Sequence, residues 1–453
     1  MNPQQTSDYY RDNPSARYVA LAVVCIGSLV PPLTLGTIIV ALPALAQDLA
    51  ADAVLVSLVP MVLLLTSVMA LLPAGKLADS FGRKRVYLGG ILVITVSAVM
   101  ASAAPSIEWM LFFRAIQGLG SAMLFGTGMA IITAVFPPNE RGLPLGMLAA
   151  SVYVGLTIAP YIGGWATELW GWRSVFLVQV PFAVLVVGLI VFGLKGEWKA
   201  DSRVPFDYAG ASLFALAALC FVLAMQGMPA WPYIGLLLLS ALLLRGFVRH
   251  IDRSPTPLFR LEIFKHSRLF SLSLVTSSLM YASTYPVGFL ISLYLQYIQG
   301  VGPAAAGEIM LVQALAMSIL APLSGRLSDM LEPRYVATAG CLAFAIGLFI
   351  LIRLGFDSPL SQVTTALLLL GVGFGLFSSA NNNAAMSSVP AGELGSGAAL
   401  VNLARVTGNL AGMGLVLLIV QQTLGEQEIT ADRYDILLTT IQTCLSLSFA
   451  YVL

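Results

Sequence analysis

The residues able to do chemistry in this sequence are few, and most are basic or carry amides. The densest set is Gly75-Lys76-Leu77-Ala78-Asp79-Ser80-Phe81-Gly82-Arg83-Lys84-Arg85. It places one carboxylate within two helical turns of three cations. Asp79, where a helix leaves its apolar run, could pair with Arg83, Lys84 or Arg85, or cap a neighbouring helix N-terminus, where the dipole favours negative charge. Such a contact can form in one conformation and break in another, which is the property of a latch. A weaker copy keeps Gly325 and Asp329 in Gly325-Arg326-Leu327-Ser328-Asp329, but its tail is Glu332-Pro333-Arg334.

A second set lies inside apolar runs. An arginine near a helix centre costs about 2.5–3.5 kcal/mol on insertion scales, so Arg114 should face a bundle interior or a wet cavity and serve function there. The plainer role is to bond carbonyls between helices. Gln117, three residues on, shares its face. In the second half Asn381, Asn382, Asn383, Arg405 and Asn409 direct polar groups inward, some of them only as glue between helices. No Asp or Glu sits near the middle of any apolar run. Glu308, a turn or so into its run, is the nearest and therefore the candidate for proton coupling, with Glu168 next; Glu308 could instead cap its own helix.

Enzyme chemistry is not expected. The two histidines, His250 and His266, fall in one loop, and the four cysteines stand singly without metal spacing. No cofactor or metal is expected. Gly371-x-Gly373-x-Gly375 has dinucleotide-like spacing, but an apolar run surrounds it rather than a strand–loop–helix unit, so it is read as a packing ridge.

The elements that must position these groups follow from composition. Of 453 residues, 58% are hydrophobic and 10% charged, against about 25% charged in soluble domains. The chain is read as an all-α integral membrane protein. The net charge of +1 provides no field for nucleic acid. Apolar runs of about 20 residues, the length of a membrane span, begin near positions 18, 54, 86, 108, 142, 173, 207, 231, 269, 304, 335, 360, 397 and 437. Helices alone suit them, because a lipid-facing backbone must satisfy its own hydrogen bonds. With the N-terminus in the cytoplasm, three of the 23 basic residues (Arg173, Arg353 and Arg433) fall outside and two (Arg114 and Arg405) fall within spans. The rest lie inside, as the positive-inside rule requires.

The expected organisation is a tail over 1–17, a six-helix bundle over 18–194, a linker with two additional helices over 195–268 and a second bundle over 269–453. Gly75 and Gly325 lie equally deep in the two bundles, within one residue, which argues for a duplicated unit with a midplane site. The last run ends without polar flanks and is expected to be incomplete. Within the first bundle, Gly155, Ala159 and Gly163 recur every four residues and form a small-residue ridge that admits a close helix. Pro160 removes one hydrogen bond and bends that helix.

The motifs resemble those of the major facilitator superfamily. Gly75-x-Leu77-x-Asp79-x-x-Gly82-Arg83-Lys84-Arg85 is similar to its signature loop between spans two and three. Arg114-x-x-Gln117-Gly118-x-Gly120 resembles its fourth-span arginine motif. Gly146-x8-Gly155-x3-Ala159-Pro160-x2-Gly163-Gly164 resembles its fifth-span antiporter motif with Ala159 in place of glycine, and Trp172-Arg173-x-x-Phe176 resembles the start of the sixth span. Fourteen spans, Phe206-Asp207, Asn382-Asn383, Gly395 and Arg405 resemble the 14-span drug:proton antiporter branch.

The resemblance implies a major facilitator fold of two six-helix repeats plus two inserted helices. It implies proton-coupled efflux of amphipathic drugs or small metabolites by alternating access, carried out by a monomer in the inner or plasma membrane. It also links Arg114 to proton transfer and the Pro160 bend to sealing the cavity. One departure stands out. The branch carries an aspartate in the first span, shortly before an Ala-Leu-Pro, and here Thr34 precedes Ala41-Leu42-Pro43. That leaves open a uniporter or symporter for a neutral or anionic solute and, further off, a non-transporting sensor or scaffold.

Overall fold

The computed structural model describes the chain apart from residues 1–2, 138–139, 141, 199–206, 229, 256, 260–263, 265–266, 390–393 and 426. Asp79, Gly146 and Asp329 are described only as helical backbone. Among the described residues there are helices and no strands. They are α1 (Pro3–Asp12), α2 (Pro14–Gly27), α3 (Val30–Asp48), α4 (Ala53–Phe81), α5 (Arg83–Ser102), α6 (Ile107–Val135), α7 (Gly142–Trp170), α8 (Ser174–Leu177) and α9 (Gln179–Gly193). Then follow α10 (Tyr208–Met225), α11 (Trp231–Arg253), α12 (Arg268–Leu293), α13 (Pro303–Met330), α14 (Pro333–Ile352), α15 (Leu360–Ser387), α16 (Leu394–Thr423) and α17 (Tyr434–Val452). Thirteen helical segments among the described residues are long and apolar enough to cross a membrane, and the 29-residue α7 is a further long helix.

The first span is two helices. Ser28 and Leu29 interrupt it just before Pro31 and Pro32, whose missing N–H groups suit the first turn of α3. The duplication expected from the paired motifs appears in the packing. Helix α6 packs on α4 and α5, and α3 on α7; in the same manner α15 packs on α13 and α14, and α12 on α16. The two halves meet through α7 against α13 and α4 against α16, each a pairing of a second with a fifth helix. Helices α10 and α11 pack on each other, and α10 lies on α4 and α16.

The small-residue ridge sets the close approach within each half. A side chain at Gly163 would run into the backbone of Thr37, and Ala159 lies directly on Gly36. The second half has the same device, which the sequence motifs do not announce: Gly408 and Gly412 of α16 lie on the backbone of Ser278 and Ala282 of α12. Two helices in such contact gain dispersion along their full length.

Candidate functional site

A cavity lies between the two halves. Its inner part is lined by Ser28 and Pro31, by Leu124, Phe125, Gly128 and Met129 of α6, and by Leu148, Val152 and Tyr153 of α7. Tyr281, Asn382, Val401, Asn402 and Arg405 line it from the second half. A second pocket shares Phe125, Met129 and Asn402 and continues past Gly75, Lys76 and Arg83. The cavity therefore opens at the end of the bundle that carries the basic α4–α5 connection. Neither Gly75 nor Gly325 has a neighbour where a side chain would stand, in keeping with an unpacked mouth.

The opposite end is sealed by contacts between the halves. Pro43 cannot donate to the Ile39 carbonyl one turn below it. That carbonyl instead accepts from Ser292 Oγ of α12 at 2.9 Å, and the next, Val40, accepts from Gln296 Nε2 at 2.9 Å. Glu168, in the last turn of α7, accepts from the Ala304 backbone N–H at 3.0 Å and so caps the N-terminus of α13. Gly164 lies on Pro303 and Ala304, and Gly307 lies on the Pro160 carbonyl. Nearer the middle, Thr157 Oγ1 and Ser318 Oγ meet at 2.6 Å, as do the Tyr153 hydroxyl and Ser378 Oγ. At the α3 terminus, Asp48 accepts from Trp172 Nε1 at 3.0 Å and from Arg173 at 2.5 Å, which gives the Trp172-Arg173 motif its structural role.

Beyond the blind end of the cavity sits the Arg114 group. Arg114 is 0% exposed. Its Nε donates to the Val59 carbonyl at 3.1 Å, and its Nη1 donates to the Thr34 carbonyl and to Gln117 Oε1, both at 3.0 Å. Among the described residues Nη2 finds no acceptor, nor do Gln117 Nε2, Ser121 Oγ and the Tyr285 hydroxyl find hydrogen-bond partners. The Thr34 hydroxyl, standing where the branch has a carboxylate, bonds Gln179 Oε1 and the Val30 carbonyl. The only other buried charged residue among those described is Asp207, which caps α10 and meets His250 Nε2 at 2.7 Å. Arg114 thus holds a cation in a low-dielectric interior with carbonyls and an amide as its company, an expensive arrangement without a use for the charge.

Other expected site residues separate. Asn382 and Arg405 line the cavity, whereas Asn381 ties α15 to α12 through the Ser273 carbonyl at 2.9 Å. Arg405 Nη2 donates to Asn402 Oδ1 at 2.5 Å, and its guanidinium lies 5.3 Å from the centre of the Phe125 ring. Asn409, one turn from Arg405, is half-buried, and its Oδ1 has no partner among the described residues. Glu308 does not join this group. It is exposed on α13 and enters neither the cavity lining nor the Arg114 cluster. The face of α13 that packs on α7 carries Gly307, and the cap of α13 comes from Glu168.

The basic loop also has a partner that its local sequence does not contain. Glu197, in the segment after α9, accepts from the Lys84 backbone N–H at 2.8 Å, and its carboxylate lies 3.8 Å from Arg85 Nε. It fits because Gly82, at φ 109°, leaves its position without a side chain. The Arg83 N–H donates to the Trp198 carbonyl at 2.9 Å, and Lys84 Nζ donates to the Leu194 carbonyl. Helix α1 backs this segment: the Tyr10 ring packs tilted on Trp198, with centroids 5.3 Å apart, and its hydroxyl accepts from the Lys195 N–H at 3.1 Å. Burial pushes the Tyr10 phenol above its ordinary pKa.

Comparison with known proteins agrees with this architecture. Residues 24–413 match the sequence profile described as Major Facilitator Superfamily. The chain is 29% identical to the riboflavin transporter RibZ of Clostridioides difficile (strain 630), over 84% of this chain and 83% of that protein. It is 27% identical to the tetracenomycin C resistance and export protein of Streptomyces glaucescens, over 90% of this chain and 76% of that one. Among solved structures, a mutant of the peptide transporter POT in complex with alafosfalin superposes with a TM-score of 0.69 at 15% identity, covering 95% of this chain and 93% of that one. With the profile match spanning most of its length and two paired helical bundles in its structure, the chain belongs to the Major Facilitator Superfamily, whose members are transporters and not enzymes.

Proposed function

We propose that this transporter exports amphipathic small molecules from the cytoplasm across the inner or plasma membrane by alternating access. The observation that carries this reading is the cavity between the halves, walled by apolar and aromatic residues, open at the basic end and sealed at the Glu168–Ala304 end. The excess of Lys and Arg at the open end supports placing that end in the cytoplasm. Rocking of 18–194 against 269–453 would break the Ser292, Gln296 and Glu168 contacts and expose the same cavity to the other side. Relatives named as an antibiotic exporter and as a riboflavin transporter support a small organic cargo.

The proton gradient is the proposed driving force, with Arg114 tuning a protonation event. One observation favours a second reading, in which a neutral or anionic solute moves without proton antiport. Among the described residues no carboxylate lies in the cavity lining or among the partners of Arg114. An anion would be expelled by an inside-negative potential, worth about 2.3 kcal/mol per charge per 100 mV, without any proton. Proteoliposomes separate the two. Efflux that responds to an imposed pH gradient at zero potential supports antiport, efflux that responds to potential alone supports the second reading, and no flux of any solute refutes transport.

A further inference from the structure

Among the described residues, the charged groups on the path through the protein share one sign. At the mouth the cavity is lined by Lys76 and Arg83, at its inner wall by Arg405, and just past its blind end lies Arg114. Among the described residues that line it there is no Asp or Glu. Arg405 forms no ion pair with a described carboxylate. Its one hydrogen bond to a described residue is to Asn402, and its face rests on Phe125. A guanidinium held this way keeps N–H donors for a planar oxyanion, the geometry in which arginine binds most strongly.

The rest of the inner wall suits a flat aromatic body. Phe125, Tyr153 and Tyr281 supply rings, Asn382 and Asn402 supply amide groups, and the Tyr153 hydroxyl is already taken by Ser378. A cation entering here would meet like charge in a medium that screens poorly, and no described carboxylate in the lining would offset its lost hydration.

We infer that the cavity selects planar aromatic anions, such as aryl carboxylates and phenolates, with Arg405 as the anchor for the oxyanion and the Phe125–Tyr153–Tyr281 wall holding the ring. This rests on the reading of the cavity as the transport site.

Three probes on one scaffold test it: fluorescein as the anion, pyronin as the cation and xanthone as the neutral body. Each is titrated by fluorescence or displacement against the full chain in lipid nanodiscs. Fluorescein is expected to bind at least tenfold more tightly than pyronin. Arg405→Gln is expected to abolish that preference, and Arg405→Lys to retain part of it by keeping the charge. Equal binding of the two dyes, or tighter pyronin binding, overturns the inference even if Arg405→Gln fails to fold. A preference untouched in a well-folded Arg405→Gln protein also overturns it. If xanthone binds while the dyes show no preference, the charge selection falls and the transport site stands. If none of the three binds, both fall.

Discussion

The Glu168 cap gives the sharpest test of the sealed end. Its carboxylate accepts one backbone N–H at the start of α13 and stands at the positive end of that helix, so it joins the two halves through a hydrogen bond and a charge–dipole attraction. The dipole contribution at an exposed site is about 0.3–1 kcal/mol, and Glu168 is exposed. The hydrogen bond adds about 0.5–1.5 kcal/mol net. Glu168→Gln keeps an acceptor and removes the charge, so the population open at this end should rise about two- to fivefold. Glu168→Ala removes both, about 0.8–2.5 kcal/mol together, and the rise should be about four- to seventyfold. Ala306 is fully buried near this seam and serves as the reporter. With the four native cysteines replaced, Ala306→Cys is labelled by a membrane-impermeant maleimide and the rate is compared across variants. If opening is a minor state, the rate scales with its population. An Ala variant labelled at the parent rate would show that the seal does not depend on Glu168.

Three further outcomes are expected. Gly163→Val forces branched carbons into the Thr37 backbone, an overpacking cost of about 1–3 kcal/mol, visible as a lower melting temperature by intrinsic fluorescence; an unchanged melting curve would contradict the ridge. Glu197→Gln should loosen the α4–α5 connection by about 0.5–1.5 kcal/mol, read as faster limited proteolysis between Phe81 and Lys84, whereas equal cleavage rates would remove Glu197 from that role. Glu308→Gln should leave gradient-driven transport within about twofold, because the side chain is exposed and apart from the cavity; abolished transport with the protein still in the membrane would restore it as a coupling residue.

The local pattern of this chain carries much of its structure. Long apolar runs with few charges specify membrane helices wherever they occur, since hydropathy and backbone hydrogen bonding act over neighbouring residues only. Small residues four apart, as at Gly155, Ala159 and Gly163, announce a close helix contact because the helical period puts them on one face. The repeat is legible in the same way, through Gly75 and Gly325 at matching depth.

What the linear order does not contain is the register between distant helices. Glu197 meets the basic loop from the far side of α5 to α9, and nothing around position 197 marks it as a partner for Lys84 and Arg85. In sequence Glu308 looks the more interior of the two acids, but rotation about the helix axis sets Glu168 on the Ala304 N–H and turns Glu308 outward. Gly408 and Gly412 build the second ridge only because α12 happens to lie on that face. So the sequence alone determined that this is a duplicated bundle of membrane helices with two arginines inside it. Tertiary packing alone decided that one arginine lines a cavity and the other is sealed behind it, because burial and charge pairing depend on how helices are rotated and stacked, which no short stretch of chain encodes.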